Sequence, residues 1–269
     1  RGLAVLDVRV GGRMLGLPRL GLAEPSSTAV VYRYDPDAMY PFGVFVLGDG
    51  ARAAADAPAF VDDPATVIAD APRVAPGLRL FDAAQGVGAL TVLVDGVPHR
   101  LVYGEATRHI ALPAGAHEVA VRRSGQTAVR IAVALSAAHP AATVLITAPQ
   151  GRLRATAIRD EPPAAVAGAS ALRIVHAQPR AGRLAVDAVG GGAITAGVGF
   201  LGDTGYAAVS DALGRDCMGA TYFDISRGGT AIKRSVLSLD PGNAYTAFVI
   251  RPHGAPPGAV KLVILHDGR

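Results

Sequence analysis

Leu78-Arg79-Leu80-Phe81-Asp82-Ala83 is answered 94 positions later by Leu172-Arg173-Ile174-Val175-His176-Ala177. The correspondence continues without a gap from Leu90-Thr91-Val92-Leu93-Val94-Asp95-Gly96 to Leu184-Ala185-Val186-Asp187-Ala188-Val189-Gly190. It resumes where residues 112–119 are matched by the stretch from Gly219 through Thr221 to Phe223, and again where residues 135–146 match 239–250. A repeat of roughly 100 residues is too long for a solenoid unit and suits a duplicated domain.

Within the first copy, β-signals recur at 78–82, 89–94, 99–103, 108–112, 116–122, 128–135, 142–147 and 153–158. Gly or Pro punctuates most gaps, as in Asp95-Gly96, Pro113-Ala114-Gly115, Ser124-Gly125 and His139-Pro140. Period-two runs such as Val119-Ala120-Val121 bury one face and wet the other. Short strands in this number, separated by turns, predict a β-sandwich. Glu161-Pro162-Pro163 opens a linker, and residues 170–268 repeat the pattern with a longer loop at 211–218. Residues 1–76 do not align with either copy. Strand-like runs at 4–10, 28–34 and 42–47 precede an Ala-, Asp- and Pro-rich connector over 48–76. The chain therefore divides into a β-containing arm or small domain (1–76) and two sandwiches (77–161 and 170–268). Helix is nearly absent, with at most a turn near 51–57.

Composition narrows the function more than any motif does. Apolar residues make up 50% and charged residues 18%, which fits either an Ala-rich compositional bias or apolar surface covered by a partner. The net charge of +4 is scattered, aromatic residues are 5% and Trp is missing, so the basic stripe and stacking rings of a nucleic-acid binder are not present. No apolar run reaches the length of a membrane span. The single cysteine, Cys217, has no internal partner and reads as a small hydrophobe. The chain opens at Arg1 without Met or a signal peptide, as a processed or truncated sequence does.

Ala171 to Pro179 (ALRIVHAQP) followed by Leu184-Ala185-Val186-Asp187 resembles the opening of a bacterial and archaeal family, the domain of unknown function numbered 4397. Residues 109–121 (HIALPAGAHEVAV) and 239–250, with Gly242 and Tyr245-Thr246, resemble its later segments. The first copy departs from the pattern at Asp82, where the second has His176, and at Gln85-Gly86. The resemblance spans about 77–268. It implies an exported, immunoglobulin-like or transthyretin-like sandwich, often in tandem, with no catalytic residues to carry over.

The chemical motifs read mostly as structure. Residues 197–202 spell GxGxxG, but a dinucleotide site needs a helix after the turn and only β-like sequence follows. His176 has no HxH, HExxH or Cys/His companion, so it is expected to hold a neighbouring loop rather than a metal. His117 and Glu118 fall on opposite faces of one strand and cannot share an ion. Asp35-Pro36-Asp37 and Asp62-Asp63 offer too few oxygens for calcium, and no GxSxG nucleophile elbow occurs. The loop at 211–218 is the candidate partner-binding loop, with Arg215, Asp216 and Met218 as its contact residues.

These readings predict an all-β, non-catalytic structural or accessory protein without catalytic, cofactor or metal site. It is expected to be exported, periplasmic or at the cell surface, and to bind other protein subunits. A peripheral place on the outer face of a bacterial respiratory or photosynthetic membrane complex is the concrete version. A cell-surface adhesion or carbohydrate-binding module, using aromatics such as Tyr206 or Tyr222, is the alternative.

Overall fold

The computed structural model describes residues 76–268 apart from 165–167, 189–191, 211–219 and 240, together with the backbone of seven strands between residues 2 and 68. Those seven are β1 (Gly2–Val5), β2 (Val8–Val10), β3 (Arg13–Gly16), β4 (Arg19–Leu22), β5 (Ser27–Arg33), β6 (Phe42–Gly48) and β7 (Thr66–Ile68). β1 pairs with β4, β2 with β3 and β5 with β6, each as a two-stranded antiparallel sheet.

The first sandwich runs β8 (Gly77–Ala83), β9 (Leu90–Val94), β10 (Val97–Leu101), β11 (Ile110–Ala111), β12 (Gly115–Arg123), β13 (Gln126–Leu135), β14 (Ala141–Thr147) and β15 (Arg154–Arg159). One sheet has the order β10-β9-β12-β13 and the other β11-β8-β14-β15. The second sandwich runs β16 (Ala169–His176), β17 (Leu184–Ala188), β18 (Gly192–Val198), β19 (Asp203–Ser210), β20 (Ala220–Arg227), β21 (Thr230–Ser238), β22 (Ala244–Ile250) and β23 (Lys261–Gly268). Its sheets are β18-β17-β20-β21 and β19-β16-β22-β23, the latter extended by β7 beyond β23. Strand for strand the order is the same in both. The eight strands split four and four, and the first pairs in parallel with the seventh. An immunoglobulin sandwich instead groups A, B, E, D against C, F, G. Of the two sandwich types expected, this is the transthyretin-like one. Among the described residues the only helical piece is a 3₁₀ turn at Pro149–Gly151.

Alternation along the strands assigns every face. Leu78 and Leu80 of β8, with Val144 and Ile146 of β14, enter the first core beside Val92, Val119 and Val121. Leu172 and Ile174 of β16, with Ala247 and Val249 of β22, enter the second core beside Val186, Phe223 and Ile225. The residues between them are buried as well. Phe81, Leu145, Val175, Phe248, Ile250, Val263 and Leu265 form a third core. It lies between the two sandwiches, where the Phe81 and Phe248 rings stack at 4.3 Å. The two sandwiches thus stack as four sheet layers, with an apolar cluster in each of the three interlayers. Burial on both faces explains why β8, β14 and β22 are continuously buried although their sheets are mainly antiparallel.

One expectation is corrected by the register. A uniform offset from 135–146 to 239–250 would pair Thr143 with Ala247. Instead Thr143 lies opposite Arg79 and Thr246 opposite Arg173, so the offset there is 103. Counted from the matching leucines 135 and 239, five residues (136–140) precede β14 and four (240–243) precede β22, which absorbs the slip before the strand begins. A shift within the strand would have exchanged its core and interface faces.

Candidate functional site

Each sandwich places an arginine in the middle of its first strand, on the face turned to the other sandwich. Arg79 is fully buried; its Nε donates to Thr143 Oγ1 on the neighbouring β14 at 3.1 Å. Its other nitrogens cross the interlayer to the His266 carbonyl (3.3 Å) and to Asp267 Oδ1 (2.6 Å) on β23. Arg173 does the same in reverse. Its Nε donates to Thr246 Oγ1 (3.0 Å), and its Nη groups reach the Arg159 carbonyl and Asp160 Oδ1, both at 2.6 Å. Thr143 in turn donates to Asp160 Oδ2 at 2.7 Å, and Thr246 donates to Asp267 Oδ2. Two Arg–Thr–Asp sets therefore interlock about a pseudo-two-fold axis, each arginine held by a threonine of its own sandwich and an aspartate of the other.

The flanking strand adds a ring to each set. Tyr206 on β19 lies beside Arg173, donates its hydroxyl to Asp267 Oδ2 at 2.9 Å and stands 4.8 Å under the Arg173 guanidinium. His109 holds the corresponding place, with Nε2 3.8 Å from Asp160 Oδ2. Burial disfavours a charged Asp160. The His109 contact, the charges of Arg79 and Arg173 and the Thr143 hydroxyl outweigh it and hold the carboxyl below its usual range. Burial, with Asp267 nearby, pushes the Tyr206 hydroxyl well above the phenol range. This network is a clasp between domains, and sequence reading missed it. Its signal was an arginine at the same place in two otherwise apolar strands.

The residues singled out from sequence fall in several places. His176 Nδ1 accepts from the Gln178 N–H (3.2 Å) and Nε2 donates to the Gly182 carbonyl (2.7 Å), so it holds the following loop as expected. Burial lowers its pKa. Asp82, its counterpart, repeats only half of this: Oδ1 accepts from the Ala84 N–H at 2.7 Å, while Oδ2 is buried without a hydrogen-bond partner. Burial, aided by Glu105, raises the Asp82 pKa to about 6 against the Ala84 hydrogen bond. His117 is buried and Glu118 exposed on opposite faces of β12, with Glu118 paired to Arg130 instead. The glycine motif 197–202 forms the corner by which the chain leaves β18 in one sheet and enters β19 in the other, closed by Gly202 N–H to Gly199 O at 2.9 Å. Arg215, Asp216 and Met218, with Cys217, lie outside the described residues, as do Asp35, Asp37, Asp62 and Asp63.

The stacked core leaves the outer sheet faces and the sheet edges accessible. β23 is covered by β7, which pairs in parallel through Thr66–Ile68 to Val263–Leu265. β15 ends its sheet, with no further strand among the described residues. A cavity of about 230 Å³ lies where the linker passes the ends of β16, β19 and β22, lined by Pro163 and Ala164 of the linker, Ala171 of β16, Tyr206 and Ala208 of β19, and Asn243.

Two transthyretin-like sandwiches locked through their central sheets define a tandem β-sandwich protein. The family of the domain of unknown function DUF4397 matches residues 76–187. The match covers the first sandwich and linker and runs into the second as far as β17. No curated protein matches the chain. No helix among the described residues is long and apolar enough to cross a membrane.

Proposed function

We propose that this chain is a non-catalytic accessory protein that binds protein partners through its sheet edges and N-terminal strands. The observation that carries the reading is the interlocked clasp. It fixes two sandwiches into one block whose central faces are consumed internally, leaving outer sheet faces, edges, loops and the arm for other chains. β7 is already an instance of strand addition, a recurrent mode of protein recognition. The reading places the protein outside the cytoplasm, as a peripheral subunit on the outer face of a bacterial membrane complex, and takes both sandwiches as copies of the DUF4397 domain. The apolar composition supports a covered surface.

The test is isolation of the tagged chain from its native membrane in mild detergent, with mass spectrometry of what co-purifies. Stoichiometric recovery of the same subunits after a high-salt wash is the expected result. Recovery of a free monomer at every salt concentration sinks the accessory-subunit reading.

A further inference from the structure

The positive charge is scattered along the sequence, but the topology gathers it at one end of the block. β14 runs parallel to β8 and β22 parallel to β16. The loops beyond their last residues meet across the seam: Tyr103 donates its hydroxyl to the Arg251 carbonyl at 2.6 Å, and Gln85 donates to the Pro252 carbonyl at 3.3 Å. All four strands therefore finish at the same end. The Gly104 N–H donates to the Asp82 carbonyl at 2.7 Å, which brings the end of β10 and the start of β9 there too. In the first sandwich, Arg152 and Arg154 follow β14, with Arg154 opposite Thr147. Arg100 and Arg122 flank Thr91 across β10, β9 and β12, and Arg123 leads into the turn to β13. In the second, Arg180 and Arg183 lie in the loop after β16, and Arg227 in the β20–β21 turn, beside Gly182 and Gly258. Arg251 and Lys261 stand at the two ends of the β22–β23 loop. All of these side chains are exposed or half-buried, and none is ion-paired among the described residues. Against them at this end stand Glu105 and Asp203 at the surface, with Asp82 buried. Elsewhere acids answer bases: Asp160 and Asp267 hold Arg173 and Arg79, Glu118 pairs with Arg130, and Asp224 pairs with Arg234.

We infer that this basic end is a docking surface for an anionic lipid bilayer, held by guanidinium contacts to headgroup phosphates. The lipid contact goes beyond the protein contacts proposed above and does not depend on them.

Guanidinium groups suit phosphate and carboxylate alike, so the rest of the surface decides the partner. A specific protein interface has an apolar centre with its charges at the rim. Among the described residues the large apolar side chain left exposed is Val97, in the β9–β10 hairpin at the opposite end. The cavity of about 230 Å³ is at the opposite end as well, beside the starts of β16 and β22. The basic end thus offers positive charge spread over the loops of both sandwiches, without an apolar anchor. Such a surface matches a plane of negative charge rather than a shaped partner. It adsorbs by electrostatics alone, and salt screens the attraction.

The test sediments the purified full chain with vesicles of phosphatidylcholine, either alone or with about a third phosphatidylglycerol. Binding is expected to the anionic vesicles only, and to fall about tenfold or more between low and physiological salt. Arg123→Gln, Arg152→Gln and Arg180→Gln together remove charge from three loops of this end. At roughly fivefold for each arginine, the triple variant is expected to bind about a hundredfold more weakly with an unchanged melting temperature. The control, Arg130→Gln with Arg159→Gln and Arg234→Gln, removes the same charge elsewhere and is expected to cost less than about threefold. In bicelles of the same anionic mixture, a spin label on the headgroup should broaden the amide signals of Gly125 and Gly229 and spare Gly96, which lies at the opposite end. Absence of binding to anionic vesicles at low salt overturns the proposal. Equal weakening by the two triple variants also overturns it, because net charge alone would then be felt. Binding to poly-glutamate without binding to vesicles overturns it too, and makes an acidic protein the partner of this end. None of these failures bears on the co-purification test of the accessory-protein reading.

Discussion

The two sandwiches share one strand order and one clasp, but they differ at several equivalent places. Asp82 stands where the second sandwich has His176, His109 where it has Tyr206, and β15 has no added strand among the described residues where β23 has β7. The constant parts are those in which both sandwiches take part at once. An Arg–Thr–Asp set serves the other domain as much as its own, so neither copy can change it alone. The variable parts face one sandwich's own loop or an outer edge, where a change on one side leaves the other intact.

Cutting the clasp gives the largest effect. Arg173→Met leaves the Asp160 carboxylate buried with its closest cation gone, and losing one partner of a buried pair costs about 3–5 kcal/mol. Urea unfolding is expected to change from one transition to two, as the sandwiches uncouple. Arg79→Met strands Asp267 in the same way, and its cost should match to within about 1 kcal/mol if the pseudo-symmetry is energetic as well as geometric. Adding Asp160→Leu to Arg173→Met should recover much of the loss, because an apolar pair replaces a lone charge. A single unaltered transition in either single variant contradicts the clasp.

Asp82 and His176 give the next effect, with a definite sign. Burial raises the folded Asp82 pKa from 3.8 to about 6, so the folded state holds its proton more tightly than the unfolded chain does. Its favourable contribution is complete below the unfolded value and disappears as pH rises through about 6. Asp82→Asn keeps an oxygen for the Ala84 N–H and carries no charge to bury. It is expected to stabilise the protein at pH 7.5 by about 2 kcal/mol and to be nearly neutral at pH 4, read from urea midpoints at both pH values. An equal effect at the two pH values would show that the carboxyl is ionised throughout. His176 sharpens the contrast, since its ring satisfies both ends of the same loop as a neutral group.

The strands of the first sandwich were legible because each is a short apolar run bounded by Gly or Pro, and period two told inside from outside. Which sheet each strand joins was not legible. Val92 and Val144 carry the same pattern and lie in opposite layers of one core. The clasp was hidden for a different reason. Arg79 reads locally as the wet side of a strand, and only the arrival of the second domain buries it. Thr66-Val67-Ile68 sits in an Ala- and Pro-rich connector, too short to stand out, and becomes a strand by borrowing the edge of β23. His176 was read as the holder of a neighbouring loop, and its bonds to Gln178 and Gly182 show that role. The candidate loop with Arg215, Asp216 and Met218 rested on length alone.

The smallest effect belongs to a pair found in one sandwich only. His117 Nδ1 is 2.6 Å from Asp95 Oδ2 and its Nε2 is 2.8 Å from the Pro113 carbonyl. Both partners are acceptors, so the ring can donate to both at once only as a cation. Asp95 also caps the Glu118 N–H at 2.9 Å, which ties the β9–β10 turn to β12. By the repeat offsets the second copy has Val189 and Thr221 at these positions, which cannot form such a pair. The hydrogen bond to Asp95 raises the His117 pKa against burial, and the bond from His117 lowers that of Asp95. The histidine's contribution is therefore complete below 6.5 and is lost as pH rises through its raised folded value. The aspartate's contribution is complete above 3.8 and is lost as pH falls through its lowered value. The pair supports the turn fully only between those limits, and weakly, because the carboxylate is well exposed and screened. An NMR titration should place the His117 ring above 6.5, and Asp95→Asn should bring it down toward that value. A ring that titrates at or below 6.5 in the unaltered chain would mean that the turn is held by its backbone bonds and not by the charge pair.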